Sequence, residues 1–294
     1  MLTSLGSIRF FLLVVLSFIF ILTSPAQSDR GTISGSILDS SGGAIQGANI
    51  VATGVNTGVV YRTTSNVNGA YQIPNMQVGS YDINVSVTGF KSSEQKGLVV
   101  QINTTSSLDI TLQPGDVNET LTVTADVPTL QTESADIGTV VDRKQIMELP
   151  LALGGQGVLR APEAFVFLTP GTTGPGSSDS SSGVFLAKLG GGQNFGNEVI
   201  LDGASTARAD SGSAFDQTAP SVEALQEFKV TTSTVTAEFG RTSGGVESFA
   251  TRSGTNSYHG TAYDIFRNED LNANSWFNNL QGQPRNLDRK NDYG

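Results

Sequence analysis

Not one of the 294 residues is cysteine. Disulfides, thiolate nucleophiles, Cys-ligated zinc, iron–sulfur clusters and a lipid anchor on an N-terminal cysteine are therefore excluded. Histidine occurs once, as His259, so no pair of imidazoles can hold a metal. Charge is sparse as well: Asp, Glu, Lys and Arg together make up 15% of the chain, below the usual quarter or so. Acidic residues outnumber basic ones by 27 to 17, giving a net charge of -10, and no basic patch interrupts the excess. Such a chain repels phosphate backbones, and no nucleic-acid partner is expected. Beyond Leu22 no run of 18 consecutive apolar residues occurs, so any later membrane embedding has to use β-strands.

Glycine, by contrast, is abundant, with 34 of 294 residues, about 12% against a usual level of roughly 7%. With 37% hydrophobic residues the chain can bury sizeable cores, and its length suggests about two domains. Turn-rich β structure is the natural expectation. Residues 1–26 read as a secretory signal: Arg9 is the positive flank, Phe10 to Leu22 the apolar run, and Ser24-Pro25-Ala26 a small-residue cleavage site. The alternative, a membrane anchor, is too short, because 13 helical residues span only about 20 Å of a ~30 Å hydrocarbon core.

From Gly31 onward, short alternating runs are separated by turn residues, the pattern of a small antiparallel sandwich rather than of βαβ units. Tyr81, Ile83, Val85 and Val87 share one strand face, with Asp82, Asn84 and Ser86 opposite. Asn68-Gly69 is predicted to supply the positive φ angles of a tight turn, and Pro74 to end the strand that follows. Leu108, Ile110 and Leu112 alternate in a last strand, and Pro114-Gly115 closes the unit. The runs "GTISGSILDSSGGAIQGANIVAT", "NVNGAYQIPNMQVGSYDINVSVTGF" and "LDITL" resemble the carboxypeptidase regulatory-like domain, a transthyretin-type sandwich with a carbohydrate-binding-like fold, over residues 30–113. The resemblance implies an interaction module, a spacer or a sugar-binding unit. It does not imply a peptidase, since a zinc carboxypeptidase needs two His ligands and a Glu.

A linker, residues 114–129, follows, and within it lies an extended Thr/Val stretch. Its segment Glu119, Thr120, Leu121, Thr122, Val123, Thr124 and Ala125 resembles the TonB box, the short strand by which energised transporters are gripped from the periplasm. A free strand offers its backbone N–H and C=O groups to a partner's sheet edge, so little side-chain specificity is required. An ordinary linker strand is the other reading. The periplasmic domain of TonB is the partner this resemblance implies.

Residues 130–255 are predicted to form a mixed α/β unit. A strand at Gly138 to Val141 leads into a helix from about Arg143 to Glu148 capped by Asp142, and Pro150 ends it. Glu198 to Leu201 is a strand turning at Asp202-Gly203, and "PSVEALQEFKV" is a capped turn of helix running into a strand at Phe228 to Thr231. These segments resemble the plug of TonB-dependent receptors, especially the Oar-like branch. The most diagnostic run is Ser221 to Phe277, in which "EFKV", "AEFGRTSGG" and "SGTNSYHG" follow one another in the family's order. The loop after Leu149-Pro150-Leu151 departs from the family, which commonly has Asn-Gly-Arg there.

In plugs of this kind apical loops touch the imported ligand, which nominates residues 174–183 and 206–220, with Asp179, Arg208, Asp210 and Asp216 as ligand-facing candidates. Solvated turns are the competing reading for each. Other features are claimed by structure rather than chemistry. His259 has no nucleophile elbow to serve, Asp202 and Asp210 lack a spaced oxygen-ligand loop, and "KLGGG" at 188–192 lacks the Lys-Ser/Thr ending of a phosphate loop. No catalysis, cofactor or metal is expected.

Residues 256–294 are predicted to open a membrane barrel, with a first strand at Ser257 to Phe266 carrying Tyr258, Tyr263 and Phe266 as interfacial or lipid-facing aromatics. About 22 strands of roughly 10 residues make a barrel of this class, so the 38 residues from Ser257 to Gly294 hold only its beginning. The fold class expected is therefore mainly β: a sandwich, a mixed α/β plug and the first strands of a truncated outer-membrane barrel. The complete protein is expected in the outer membrane, importing a ligand these residues do not identify, and the fragment itself in the periplasm without transport competence. A secreted binding or adhesion protein built on the sandwich is the rival reading.

Overall fold

The computed structural model describes residues 30–116, 120–124, 135–149, 162–174, 187–193, 196–206, 220–240 and 242–294. The expected signal segment and most of both expected ligand-facing loops, including Asp179, Arg208, Asp210 and Asp216, lie outside these residues, as do Glu119 and Ala125.

The first unit is built from β1 (Gly31–Asp39), β2 (Asn49–Gly54), β3 (Val60–Thr64), β4 (Ala70–Met76), β5 (Gly79–Ser86), β6 (Ser92–Val100), β7 (Thr105–Ser107) and β8 (Ile110–Leu112). One sheet runs β4-β1-β7, with β8 also pairing β1, and the other runs β3-β2-β5-β6. A further strand, β9 (Thr120–Thr124), continues the second sheet beyond β6. The alternation read in β5 puts Tyr81, Ile83 and Val85 in the core. Together with Ile33 and Ile37 of β1, Ile50 and Ala52 of β2, and Leu108, Ile110 and Leu112, they make one apolar layer between the sheets. The Tyr71 hydroxyl, buried in that layer, donates to the Leu108 carbonyl at 2.8 Å, so its one polar group is satisfied.

Two local expectations change in detail. In the Asn68-Gly69 turn only Gly69, at φ 73°, adopts a positive angle. β4 runs through Pro74 instead of ending before it. Among the described residues β4 is an edge strand with β1 as its sole sheet neighbour, and the register shifts between Gly31 and Ile33, so Pro74 falls at an irregularity where no ladder donor is required.

The second unit has a five-stranded sheet in the order β10-β15-β16-β13-β14, from β10 (Ile137–Asp142), β13 (Glu198–Leu201), β14 (Ala204–Ser205), β15 (Leu225–Ser233) and β16 (Val246–Thr251). Helix α1 (Arg143–Glu148) starts where expected, Asp142 accepting from the Gln145 amide at 2.8 Å, and buries Ile146. Phe228 and Phe249 stack across β15 and β16 with centroids 5.0 Å apart, and Phe165 of the 3-10 stretch Pro162–Leu168 meets Phe228 edge-on at 6.1 Å. Burying one such ring contributes roughly 1.5–3 kcal/mol.

One glycine of the run is required by close packing. The short pair β11 (Thr172–Thr173) and β12 (Lys188–Leu189) ends at Gly190, where φ is 56° and a Cβ would lie 2.0 Å from the Thr232 carbonyl oxygen. At the β13–β14 turn Asp202 has φ 48°, and its carboxylate accepts from the Thr251 amide at 2.8 Å and hydroxyl at 2.7 Å. That turn needs no cation to explain it.

At the C-terminal end, β17 (Asp264–Arg267) pairs antiparallel with β18 (Lys290–Tyr293), and between them lies helix α2 (Trp276–Leu280). The strand expected from Ser257 is regular only from Asp264; just ahead of it Tyr263 exchanges backbone hydrogen bonds with Gly294 at 2.9 and 3.0 Å. Phe266 and Tyr293 are exposed on one face of this hairpin.

Candidate functional site

The segment singled out for coupling begins just past the point where the sandwich closes. The Lys91 amide donates to Gln113 O at 2.9 Å and the Gly115 amide to Gly89 O at 3.1 Å, while Phe90 bridges Pro114. After this clasp the chain re-enters the sheet as β9, which runs parallel to β6 in the register Ser92↔Thr120, Ser93↔Leu121, Glu94↔Thr122, Gln95↔Val123 and Lys96↔Thr124. Five residues of the candidate strand are thus extended and paired, with β6 as the one sheet neighbour among the described residues. The sequence indicated an extended segment; it did not indicate this parallel neighbour.

A polar seam joins the two units, and sequence reading missed it. β15 turns Phe228 and Val230 toward its own core and Glu227 and Lys229 toward the sandwich. The loop between β6 and β7 meets them there. The Ile102 amide donates to the Glu227 carboxylate, and the Lys229 ammonium donates to the Asn103 carbonyl at 2.6 Å and pairs with Asp136. Asn103 stands at φ 48°, a conformation Asn tolerates, and its side-chain amide donates to Ser248 Oγ of β16 at 2.9 Å. Lys229 and Asp136 are almost fully buried, with side chains 3% and 7% exposed. Burial pushes the Glu227 carboxyl up to about 7, against the opposing pull of the Ile102 hydrogen bond; nearby Asp142 adds to the rise and Lys229 opposes it. The visible signal was the i, i+2 placement of Glu227 and Lys229 around Phe228, which ordinarily marks a solvated face.

A second junction lies at the other side. Asn256 donates through its backbone amide to Asn56 O at 3.1 Å and through its side chain to Thr57 O at 3.0 Å, tying the segment before β17 to the β2–β3 turn. Beside it opens a polar cleft of about 520 Å³ lined by residues of both units, among them Gln77, Tyr81, Arg252 and His259. His259 is exposed, with Nδ1 2.9 Å from the Ser257 carbonyl and 3.3 Å from Thr255 Oγ1, a local turn contact.

Two stretches match known domains: residues 32–113 the carboxypeptidase regulatory-like domain, and residues 250–294 the outer membrane beta barrel domain. A curated relative matches most of the chain. The TonB-dependent transporter Oar of Myxococcus xanthus is 27% identical over 244 residues, 82% of this chain and 22% of that protein. The chain is similar to TonB-dependent transporters of the Oar type. It covers about a fifth of the length of the curated relative it matches. Among solved structures, the Bacillus anthracis TIE protein aligns with 29% of this chain and 17% of its own at 14% identity and a TM-score of 0.25. BcpA, the major pilin subunit of Bacillus cereus, aligns with 29% of this chain and 30% of its own at 21% identity and a TM-score of 0.24.

Proposed function

We propose that this chain forms the periplasmic module, coupling strand, plug and barrel opening of an outer-membrane importer driven through TonB. Residues 130–255 serve as the plug, and residues 119–125 as the strand TonB grips. The observation that carries the reading is the position of β9: an extended edge strand set between two folded units, in a chain similar to Oar over 82% of its length. The match of residues 250–294 to an outer-membrane barrel favours this over a secreted adhesion protein. The complete protein would reside in the outer membrane, and its ligand would meet loops at 174–183 and 206–220.

Binding by strand addition draws chiefly on main-chain hydrogen bonds. Proline at 123 removes an N–H donor and fixes φ, whereas alanine at 122 leaves the backbone intact. A peptide covering residues 116–127, titrated with the purified periplasmic domain of TonB, is expected to bind. Val123→Pro should weaken that binding ten-fold or more, and Thr122→Ala should change it less than about three-fold. Equal binding by the proline peptide would refute the coupling assignment.

A further inference from the structure

We propose that the outer edge of β6 is a storage site for the coupling strand, so that the sandwich and TonB compete for residues 120–124. The inference rests on the coupling reading of that segment and adds where the strand is kept when TonB is not bound.

The sandwich does not need β9. Its core ends at Leu112, and the clasp of Gly89, Phe90 and Lys91 with Gln113, Pro114 and Gly115 closes it before β9 begins. β9 is therefore an added strand, attached in the same manner that a partner sheet would attach it. The stretch of β6 that holds it, Ser92 to Lys96, contains no apolar residue. Strand addition of this kind draws chiefly on main-chain hydrogen bonds, which any equivalent sheet edge can supply. Such a contact keeps the strand ordered and yet exchanges for an equivalent edge.

The geometry also opposes simultaneous use. While paired, β9 has committed the backbone groups of one side to β6, and a second domain could reach only its other side, alongside the wall of the sandwich. Release frees both sides. Asp136, later in the chain than β9, is held at the polar seam by Lys229, which also donates to the Asn103 carbonyl of the sandwich.

A reversible lock tests this. Gln95 and Val123 are register partners, and partners on neighbouring strands lie about 4.8 Å apart, within disulfide reach. Because the chain has no cysteine, Gln95→Cys with Val123→Cys introduces the sole thiol pair. In the whole chain, oxidised glutathione is expected to close the bridge; the oxidised form should bind the TonB periplasmic domain at least ten-fold more weakly than the same sample after reduction. Recovery on reduction shows that the fold is intact. The free peptide of residues 116–127 is measured in parallel. If it binds but no bridge forms, or if oxidised and reduced chains bind alike, storage at β6 is wrong and the coupling reading stands. If the peptide itself does not bind, the coupling reading falls, and the competition with it.

Discussion

Glu227 has an environment unlike the one its sequence neighbours suggest. It alternates with Phe228 on a strand, which reads as a solvated position, but the sandwich loop covers it and its carboxyl titrates near 7. In the unfolded chain the proton leaves near the ordinary 4.5. Between those values the folded state keeps a proton that the unfolded state has lost, so this residue's contribution is fully present below about 4.5 and is lost as pH rises through about 7. Glutamine retains an acceptor for the Ile102 amide and carries no charge. Glu227→Gln is expected to flatten the pH dependence over that interval and to raise stability at pH 8 by up to about 3 kcal/mol. Urea denaturation at pH 5 and pH 8 reads both effects; an unchanged slope against pH would show that Glu227 titrates as an exposed acid.

At the scale of elements, legibility followed the range of the interaction. The strand β5 was evident because its period-two alternation is local, and α1 because Asp142 caps it three residues ahead of Gln145. The continuation of β4 through Pro74 was not evident, since only the register with β1 reveals the irregularity that accommodates a residue without N–H. The pairing of β9 with β6 was hidden for the same reason: nothing in "TLTVT" names a polar parallel neighbour some 28 positions earlier, Ser92 opposite Thr120. The same division of local and distant contacts predicts how the sandwich behaves alone. All of its core residues lie between Ile33 and Leu112, while Ile102, fully buried, belongs to neither core and sits at the seam. Residues 30–113 expressed in isolation should unfold cooperatively with a β-type circular dichroism spectrum. In that segment Ile83→Ala should cost about 2–5 kcal/mol, whereas Ile102→Ala should cost under about 1 kcal/mol and matter more in the whole chain. A disordered isolated segment would contradict the boundary.

At the scale of the whole molecule, the order of modules was readable from motifs, and the contacts between them were not. Sandwich, extended linker, mixed sheet and aromatic hairpin follow one another as the residue patterns indicated, but motif order says nothing of which faces meet. The seam at Lys229, Asp136, Glu227 and Asn103 and the clasp of Asn256 on Asn56 and Thr57 exist only in three dimensions. In the chain, the proposed coupling strand lies between the two units that these contacts tether. The central claim, that residues 119–125 are the strand TonB grips, is tested most directly in cells. A photo-cross-linking amino acid replaces Thr122 in a complete protein carrying this segment, and adducts are resolved on a gel. The account predicts a TonB adduct that disappears when Val123→Pro is added. No adduct at all, or one that survives the proline, would contradict it.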